Sequence, residues 1–170
     1  MDSFNASLYL SANPDDVRKA VSKGLPAAQV FPTKFVDDEK EHGLRIAFDF
    51  DGIIADDSSE GIFKTLGMEK FHENEKEKAN EALPPGPLFK FFGEIARLQR
   101  REWEKKQKDE NYTSRIKVAI ATARNAPAHE RVVTTLRNLG INVDKAFFLG
   151  GIDKGRVLNV FDHTYFSTIK

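Results

Sequence analysis

The stretch RIAFDFDGIIADDSSE, from Arg45 to Glu60, decides how the rest of the chain is interpreted. It opens with an apolar run of strand-forming residues, too short for a helix and typical of a strand buried on both faces. The run ends in Asp49 and Asp51, two carboxylates separated by one phenylalanine. Burying a carboxylate is costly unless it is paired, hydrogen-bonded or bound to a metal. We therefore expect these two side chains to serve a site at the end of the strand.

Runs of the same kind recur along the chain and alternate with helical patterns. Strands are predicted at 44–50, 116–122 and 145–151, with short ones at 7–10 and 27–31 and another starting at 164–166. Helices are predicted after an N-cap at Asn13, in short pieces over 55–83, at 88–107, from an N-cap at Asn125 to Gly140, and at 153–161. Such alternation indicates an α/β fold, a three-layer Rossmann-like and mostly parallel sheet with helices on both faces.

Two regions follow from this order of elements. Residues 1–43 are predicted to form an N-terminal strand–helix segment that packs on the core, and residues 44–170 to form the core itself. A small helical cap insertion is predicted at about 55–85, where the residues are polar and rich in Glu and Lys. The sequence LPPGP at 83–87 ends it, because proline and glycine interrupt helices.

The composition excludes several kinds of protein. Lys plus Arg equals Asp plus Glu at 26 each, so no net field favours nucleic acid or an anionic membrane. There is no cysteine, which excludes disulfides, thiolate catalysis and cysteine-ligated zinc. No apolar run approaches the roughly 20 residues of a membrane span, and the first residues lack a signal-peptide pattern. We therefore expect a cytoplasmic protein with no nucleic-acid or membrane partner.

Polar side chains follow three of the predicted strands. Asp49 and Asp51 come at the end of the first, Thr122 and Arg124 come at the end of the second, and Lys154 follows the third. In parallel sheets, ligands bind beyond the carboxyl ends of the strands. A carboxylate nucleophile, a second carboxyl group, a hydroxyl and a lysine at adjacent strand ends suit phosphate transfer. Asp49 would attack phosphorus and Asp51 would protonate the leaving alkoxide.

Each of these residues has a plainer interpretation when it is taken alone. Two aspartates one residue apart are more often a loop or a cation-binding turn, although Ile54 stands where an EF-hand needs glycine. Thr122 is more often a structural cap, and Lys154 more often a surface lysine. Their order, and their shared position after buried strands, favour a catalytic site.

The same residues carry a family resemblance. FDFDG at 48–52, ATAR at 121–124 and GGIDKG at 150–155 resemble the first three motifs of the haloacid dehalogenase (HAD) superfamily of aspartate-nucleophile phosphatases. RIAFDFDGIIADDSSE, LPPGPL and ATARNAPAHERVVTTLRNLGINVDKAFFLGGIDKG resemble the cytosolic 5′-nucleotidase type I family in order and spacing. The resemblance covers nearly the whole chain from Leu8 onward. It implies a HAD-like core that hydrolyses a nucleoside 5′-monophosphate with magnesium, through an aspartyl-phosphate.

The resemblance also implies a role for each motif residue. Asp49 would be the nucleophile and a magnesium ligand. Asp51 would be the acid/base and would give its backbone carbonyl to the metal. Thr122 and Lys154 would bind phosphate, and Lys154 would also offset charge at the nucleophile.

Four more residues are assigned to the substrate. Asp57 and Glu60 fall in the acidic stretch that follows the first motif in this family, and they would line the site. Arg124 would contact phosphate or ribose, and Phe71 would stack on the base.

Two differences from the family lead to further expectations. The family's chains begin well upstream of Met1, and its fourth motif, a strand ending in Phe-Phe-Asp-Asp-Gln, is replaced here by HTYFSTIK at 163–170. We therefore expect a shortened and truncated member, and we hypothesise that a one-base frameshift produced residues 167–170. Losing that motif removes magnesium ligands. The alternative function is therefore an impaired remnant that binds nucleotide, phosphate or a partner, and its exposed sheet edges would favour homo-oligomers.

Overall fold

The structure is a computed structural model that describes residues 5–32 and 43–154 together with the backbone of 165–167. The chain divides into two compact units, one before residue 43 and one from residue 43 onward. Within the described ranges, no helix combines the length and the apolar composition needed to cross a bilayer. The predicted helix at 153–161 and the residues after Ser167 lie outside the description, apart from the first two positions of that helix.

The smaller unit is one strand–helix–strand motif. Its elements are β1 (Tyr9–Ser11), α1 (Pro14–Ser22) and β2 (Ala27–Gln29), and the two strands pair in parallel. The N-cap predicted at Asn13 is confirmed, because its side-chain oxygen accepts the N–H of Asp15 at 2.9 Å. The second strand ends two residues earlier than predicted. The packing of this segment on the core stays a prediction.

The larger unit carries a four-stranded sheet. Its elements are β3 (Leu44–Phe48), α2 (Ser58–Glu77), α3 (Phe89–Lys108), β4 (Ile116–Thr122), α4 (His129–Asn138), β5 (Lys145–Phe148) and β6 (Tyr165–Ser167). The strand order is β5-β4-β3-β6, and every pair of neighbours is parallel. The predicted parallel α/β sheet is therefore confirmed. The chain leaves β3 toward β4 and β5 on one side and reaches β6 on the other, so β3 is the topological switch point where such sheets bind ligands.

The core lies around the two central strands. Residues 118–122 of β4 are all buried, and so are Ala47 and Phe48 at the end of β3. The ring of Phe48 packs edge-on against Phe92 of α3, with 4.7 Å between the centroids. A strand that is buried on both faces needs apolar side chains on both faces, which is why residues 46–48 of β3 and 118–121 of β4 are apolar.

The insertion helix α2 is not straight. The backbone of Gly67 has φ 83° and ψ 178°, which interrupts the helix. Ser59 Oγ donates to Glu75 Oε1 at 2.8 Å, and the rings of Phe63 and Phe71 are 6.2 Å apart. Ser59 and Glu75 would lie about 24 Å apart in a straight helix. Both contacts are symmetric about Gly67, so α2 is a helical hairpin, as the prediction of short helices in this region anticipated.

We expect Gly67→Ala to lower the free energy of unfolding by about 1–3 kcal/mol, because its backbone conformation is open essentially only to glycine. Gly61→Ala is the matched control. It lies in the same element, and an added Cβ there meets nothing within 4 Å, so we expect stabilisation of up to about 1 kcal/mol. Urea unfolding of both variants measures the difference. Equal effects would contradict the hairpin.

The loop between α2 and α3 is fixed to the turn that follows Asp51. The N–H of Gly86 donates to the carbonyl of Ile54 at 2.8 Å, and the N–H of Leu88 donates to that of Ile53 at 2.9 Å. A Cβ at Gly86 would lie 2.5 Å from the carbonyl oxygen of Ala55. The glycine in LPPGP therefore permits close approach of two backbones, and this approach holds the segment after the two aspartates in place.

Three further predicted boundaries, all in the larger unit, are wrong by two residues or more. The helix predicted to start after Asn125 begins only at His129, with no side chain capping it. The reason is Pro127, which disfavours the helical conformation at the residue before it. Strands β3 and β5 end at residues 48 and 148, two and three residues early. After β5 the chain turns at Gly150 and Gly151, whose φ angles are 55° and 94°.

Candidate functional site

The site lies beyond the carboxyl ends of β3, β4 and β5. Asp49 directly follows β3, Thr122 is the last residue of β4, and Lys154 follows the loop after β5. Because Phe48 pairs with Ile120 and Thr122 pairs with Phe148, these three strands end at one edge of the sheet. The structure therefore brings together the strand-end residues that the sequence singled out.

Asp49 is held by two donors. Its Oδ1 accepts the backbone N–H of Phe50 at 2.8 Å, and its Oδ2 accepts the ammonium of Lys154. Both side chains are partly exposed, 21% for Asp49 and 28% for Lys154. One oxygen of the Asp49 carboxylate is therefore oriented by the backbone, while the other contacts the ammonium of Lys154, which solvent can reach.

Asp51 is held by Arg124 rather than by a lysine. The guanidinium donates from Nε to both carboxylate oxygens at 3.0 and 2.9 Å, and from Nη2 to Oδ1 at 2.6 Å. Thr122 Oγ1 donates to Asp51 at 3.4 Å and accepts the backbone N–H of Arg124 at 3.2 Å. In this conformation Thr122 is fully buried. Two of the residues predicted to contact phosphate, Thr122 and Arg124, thus contact the second aspartate here.

Glu75 is the residue that the sequence analysis missed. Its side chain is fully buried and accepts from Arg124 Nη1, from Arg131 Nη1 at 2.9 Å and from Ser59 Oγ at 2.8 Å. It was overlooked because α2 is rich in Glu and Lys, a composition typical of a solvated helix. A signal was present in α4, where Arg131 shares a face with buried Val132 and Thr135. A buried arginine requires an anionic partner.

Asp51, Glu75, Arg124 and Arg131 form an ion cluster, and this ion cluster shifts the pKa of two of its members. Burial by itself acts to raise the pKa of Glu75, but Arg124, Ser59 and Arg131 together outweigh it, so the pKa lies below its ordinary value. Burial likewise acts to lower the pKa of Arg124, and the carboxylates of Asp51 and Glu75 raise it instead. Both side chains are therefore charged at neutral pH.

We expect Glu75 to make stability depend on pH in acid. The pKa of Glu75 is lower in the folded state than its ordinary value of 4.5. The stabilisation that Glu75 contributes to the folded state is therefore fully present above pH 4.5, and it is lost as the pH falls through the lower folded-state pKa. The difference in unfolding free energy between wild type and Glu75→Gln should therefore shrink below about pH 4.5. Urea titrations between about pH 7 and pH 3 measure this difference. A difference that stays constant over that range would contradict it, as would the same trend in exposed Glu73→Gln.

The remaining predicted residues lie on α2. Phe71 is 9% exposed, with the Arg124 guanidinium 5.5 Å from its ring centroid, so its ring is part of the packing around the ion cluster. Asp57 is the N-cap residue of α2 without a side-chain capping bond, and Glu60 pairs with Lys64 at 2.9 Å in a solvent-exposed contact. Their predicted roles in base stacking and in lining the site stay predictions.

The donor chemistry of the site fits magnesium. Asp49 supplies carboxylate oxygens and Asp51 a backbone carbonyl oxygen at one strand end, and each side chain is 21% exposed. Over the residues that the structure describes, no three His, Cys, Asp or Glu side chains form a metal-holding group. Magnesium suits such a sparse set, because it keeps several waters and is usually bound by one or two carboxylates plus substrate phosphate.

Comparisons with known proteins agree on one family. A family model described as 5′-nucleotidase matches residues 1–168. The chain is 30% identical over 168 residues to cytosolic 5′-nucleotidase 1B of Homo sapiens. This alignment takes in 98% of the chain but 27% of the relative, so the chain spans about a quarter of that protein's length. The comparison with solved structures gave no match.

Proposed function

Because the chain belongs to the 5′-nucleotidase family, we propose that it hydrolyses nucleoside 5′-monophosphates to nucleoside and phosphate. The observation that carries this proposal is the convergence of Asp49, Asp51 and Lys154 at the switch point of the sheet. A carboxylate that pairs with a partly exposed lysine, next to a second carboxylate, is the arrangement that phosphoryl transfer to aspartate needs.

Asp49 acts as the nucleophile. Its carboxylate oxygen attacks phosphorus, the bond from phosphorus to the 5′ oxygen breaks, and an aspartyl-phosphate forms. The Phe50 N–H, 2.8 Å from Oδ1, supports a fixed orientation of that carboxylate. Lys154 offsets the negative charge that builds up when a phosphate approaches the ionised Asp49, and it binds a phosphoryl oxygen.

Asp51 moves the protons. It gives a proton to the 5′ oxygen as the nucleoside leaves, and it then takes one from the water that attacks the aspartyl-phosphate, so it returns to its starting state. Thr122 and Arg124 hold its carboxylate. With substrate bound, Thr122 contributes a hydrogen bond to a phosphoryl oxygen, and Arg124 contacts phosphate or ribose. Proton transfer of this kind contributes about 10²–10⁴ in rate.

Magnesium would be held by Asp49 and Asp51, the latter through its backbone carbonyl. When bound, the ion stabilises the negative charge of the transferring phosphoryl group. Asp57 and Glu60 line the entrance, and Phe71 contributes an aromatic surface near the base.

The test is phosphate release from a panel of nucleoside 5′-monophosphates that covers adenine, hypoxanthine, guanine and pyrimidine bases. Release should require magnesium, should stop when the ion is chelated, and should be absent for the corresponding 3′-monophosphates. Phosphate release that persists without magnesium would contradict the proposed role of magnesium. No release from any 5′-monophosphate would contradict the activity, and nucleotide binding by equilibrium dialysis would then test the binding remnant.

A further inference from the structure

We propose that Glu75 is a positioning residue for Asp51 and acts through Arg124, so that the insertion hairpin α2 sets the geometry of the proton donor. This inference rests on the proposed function only in taking Asp51 as the acid/base. Glu75 itself touches neither aspartate of the site: its partners are Arg124, Arg131, Ser59 and a neighbouring asparagine.

The geometry of Arg124 carries the first step. Its guanidinium is a rigid planar fork, with Nε and Nη2 directed at Asp51 and Nη1 directed at Glu75. It also lies over the rings of Phe50 and Phe71, 5.5 Å from each centroid. A guanidinium that is hydrogen-bonded along one edge can still rotate about the side-chain bonds. A guanidinium that is hydrogen-bonded along two edges cannot, because any rotation breaks hydrogen bonds at one of the two edges.

The second step is that Glu75 is itself anchored. It is fully buried, Arg131 and Ser59 donate to its Oε1, and Arg131 Nε donates to the carbonyl of Glu81 at 3.0 Å. The contacts therefore run from Asp51 through Arg124 and Glu75 to α4 and to the end of the insertion. Along this series of contacts two carboxylates balance two guanidinium groups, and so no excess charge is buried.

The third step concerns the chemistry at Asp51. Without the charge of Glu75, Arg124 would bind Asp51 more tightly and would be free to shift with it. A proton donor that is bound more strongly to a cation and is less well placed protonates the leaving group less effectively. This slows release of a nucleoside alkoxide, which is a poor leaving group and must be protonated as it leaves. An aryl phosphate has a leaving group that needs little protonation, and so it bypasses the defect.

The experiment compares wild type with Glu75→Gln on two substrates, the best nucleoside 5′-monophosphate and p-nitrophenyl phosphate, both with magnesium. For Glu75→Gln we expect kcat on the nucleotide to fall about 10²-fold with little change in KM, and kcat on p-nitrophenyl phosphate to fall less than about threefold. Glu73→Gln is the matched control, because Glu73 lies on the same hairpin in an exposed pair with Lys70 at 2.6 Å. Equal losses on both substrates, or no loss, would overturn the inference.

A second variant separates positioning from folding. Glu75→Gln combined with Arg131→Gln keeps the buried charges balanced, and so it also serves if the single variant does not fold. If Glu75 only neutralises buried charge, the double variant regains wild-type kcat on the nucleotide, which would overturn the inference. If Glu75 positions Arg124, the selective loss on the nucleotide persists.

A third measurement does not require turnover. If the wild type releases phosphate from neither substrate, the proposed function fails, and NMR of the Arg124 Nε–H decides the present inference. In Glu75→Gln this proton should exchange with solvent at least about tenfold faster than in wild type and in Glu73→Gln. Unchanged exchange would mean that Asp51 alone holds Arg124, and the inference would be wrong.

Discussion

Asp49→Asn is expected to lower phosphate release from a nucleoside 5′-monophosphate by on the order of 10⁴-fold or more. The substitution keeps the size of the side chain and can still accept the Phe50 N–H. It replaces the anionic nucleophile by a neutral amide, and it leaves Lys154 without its carboxylate partner. Steady-state assays with magnesium at saturating substrate measure the loss.

Two controls make the Asp49→Asn result specific. Asp109→Asn changes the same residue type at the exposed end of α3, where Asp109 accepts the N–H of Asn111 at 3.0 Å, and it should leave turnover unchanged. Acid quenching of the wild type during turnover should yield a phosphorylated peptide that contains Asp49. A variant that retains a tenth of wild-type turnover, or a phosphoryl group on another residue, would contradict Asp49 as nucleophile.

Arg124→Gln is expected to lower the free energy of unfolding by about 3–5 kcal/mol, the usual result of removing one partner from a buried ion pair. The Arg124 side chain is 3% exposed and Glu75 is fully buried, so among the described residues the Glu75 carboxylate would keep only Arg131 as a cationic partner. Asp51 would lose its guanidinium contacts as well. Urea unfolding at pH 7 measures the change.

An exposed arginine gives the comparison for Arg124. Arg97 is 64% exposed and pairs with Glu94 within α3, so Arg97→Gln should change stability by less than about 1 kcal/mol. Removing the charge of Glu75 as well should lower the stability further, because Arg131, whose side chain is 8% exposed, would then lose its carboxylate partner. A loss below about 1 kcal/mol for Arg124→Gln alone would mean that water replaces the guanidinium at no cost.

The sheet and its strand ends could be predicted because the signals for them are local. A buried strand is a short and mostly apolar run, and β4, in which only Lys117 and Thr122 are polar, was predicted with both of its observed ends, Ile116 and Thr122. Since the carboxyl ends of parallel strands meet at one edge, the grouping of Asp49, Thr122 and Lys154 followed from topology alone.

The ion cluster could not be predicted in the same way. Glu75 is 49 residues from Arg124 and 56 residues from Arg131, so no local pattern links them. The hairpin hides Glu75 further, because the two parts of α2 on either side of Gly67 turn different faces inward. A single helical period therefore fails over Ser58–Glu77. The sequence pairs Arg124 with substrate because its motif neighbour Thr122 is predicted to bind phosphate, whereas the structure pairs it with two carboxylates.

The reversal of α2 at Gly67 joins both ends of the insertion to one carboxylate. Ser59 near its start and Arg124 of the site share Glu75 as a partner, so detachment of the hairpin separates both in the same event. Segments that lose their contacts together open as one cooperative unit, at a free energy below that of global unfolding. The insertion and the Asp51 side of the site then form one such unit. Moderate heating would then disable the proposed proton transfer by Asp51 while β3 and β4 remain paired.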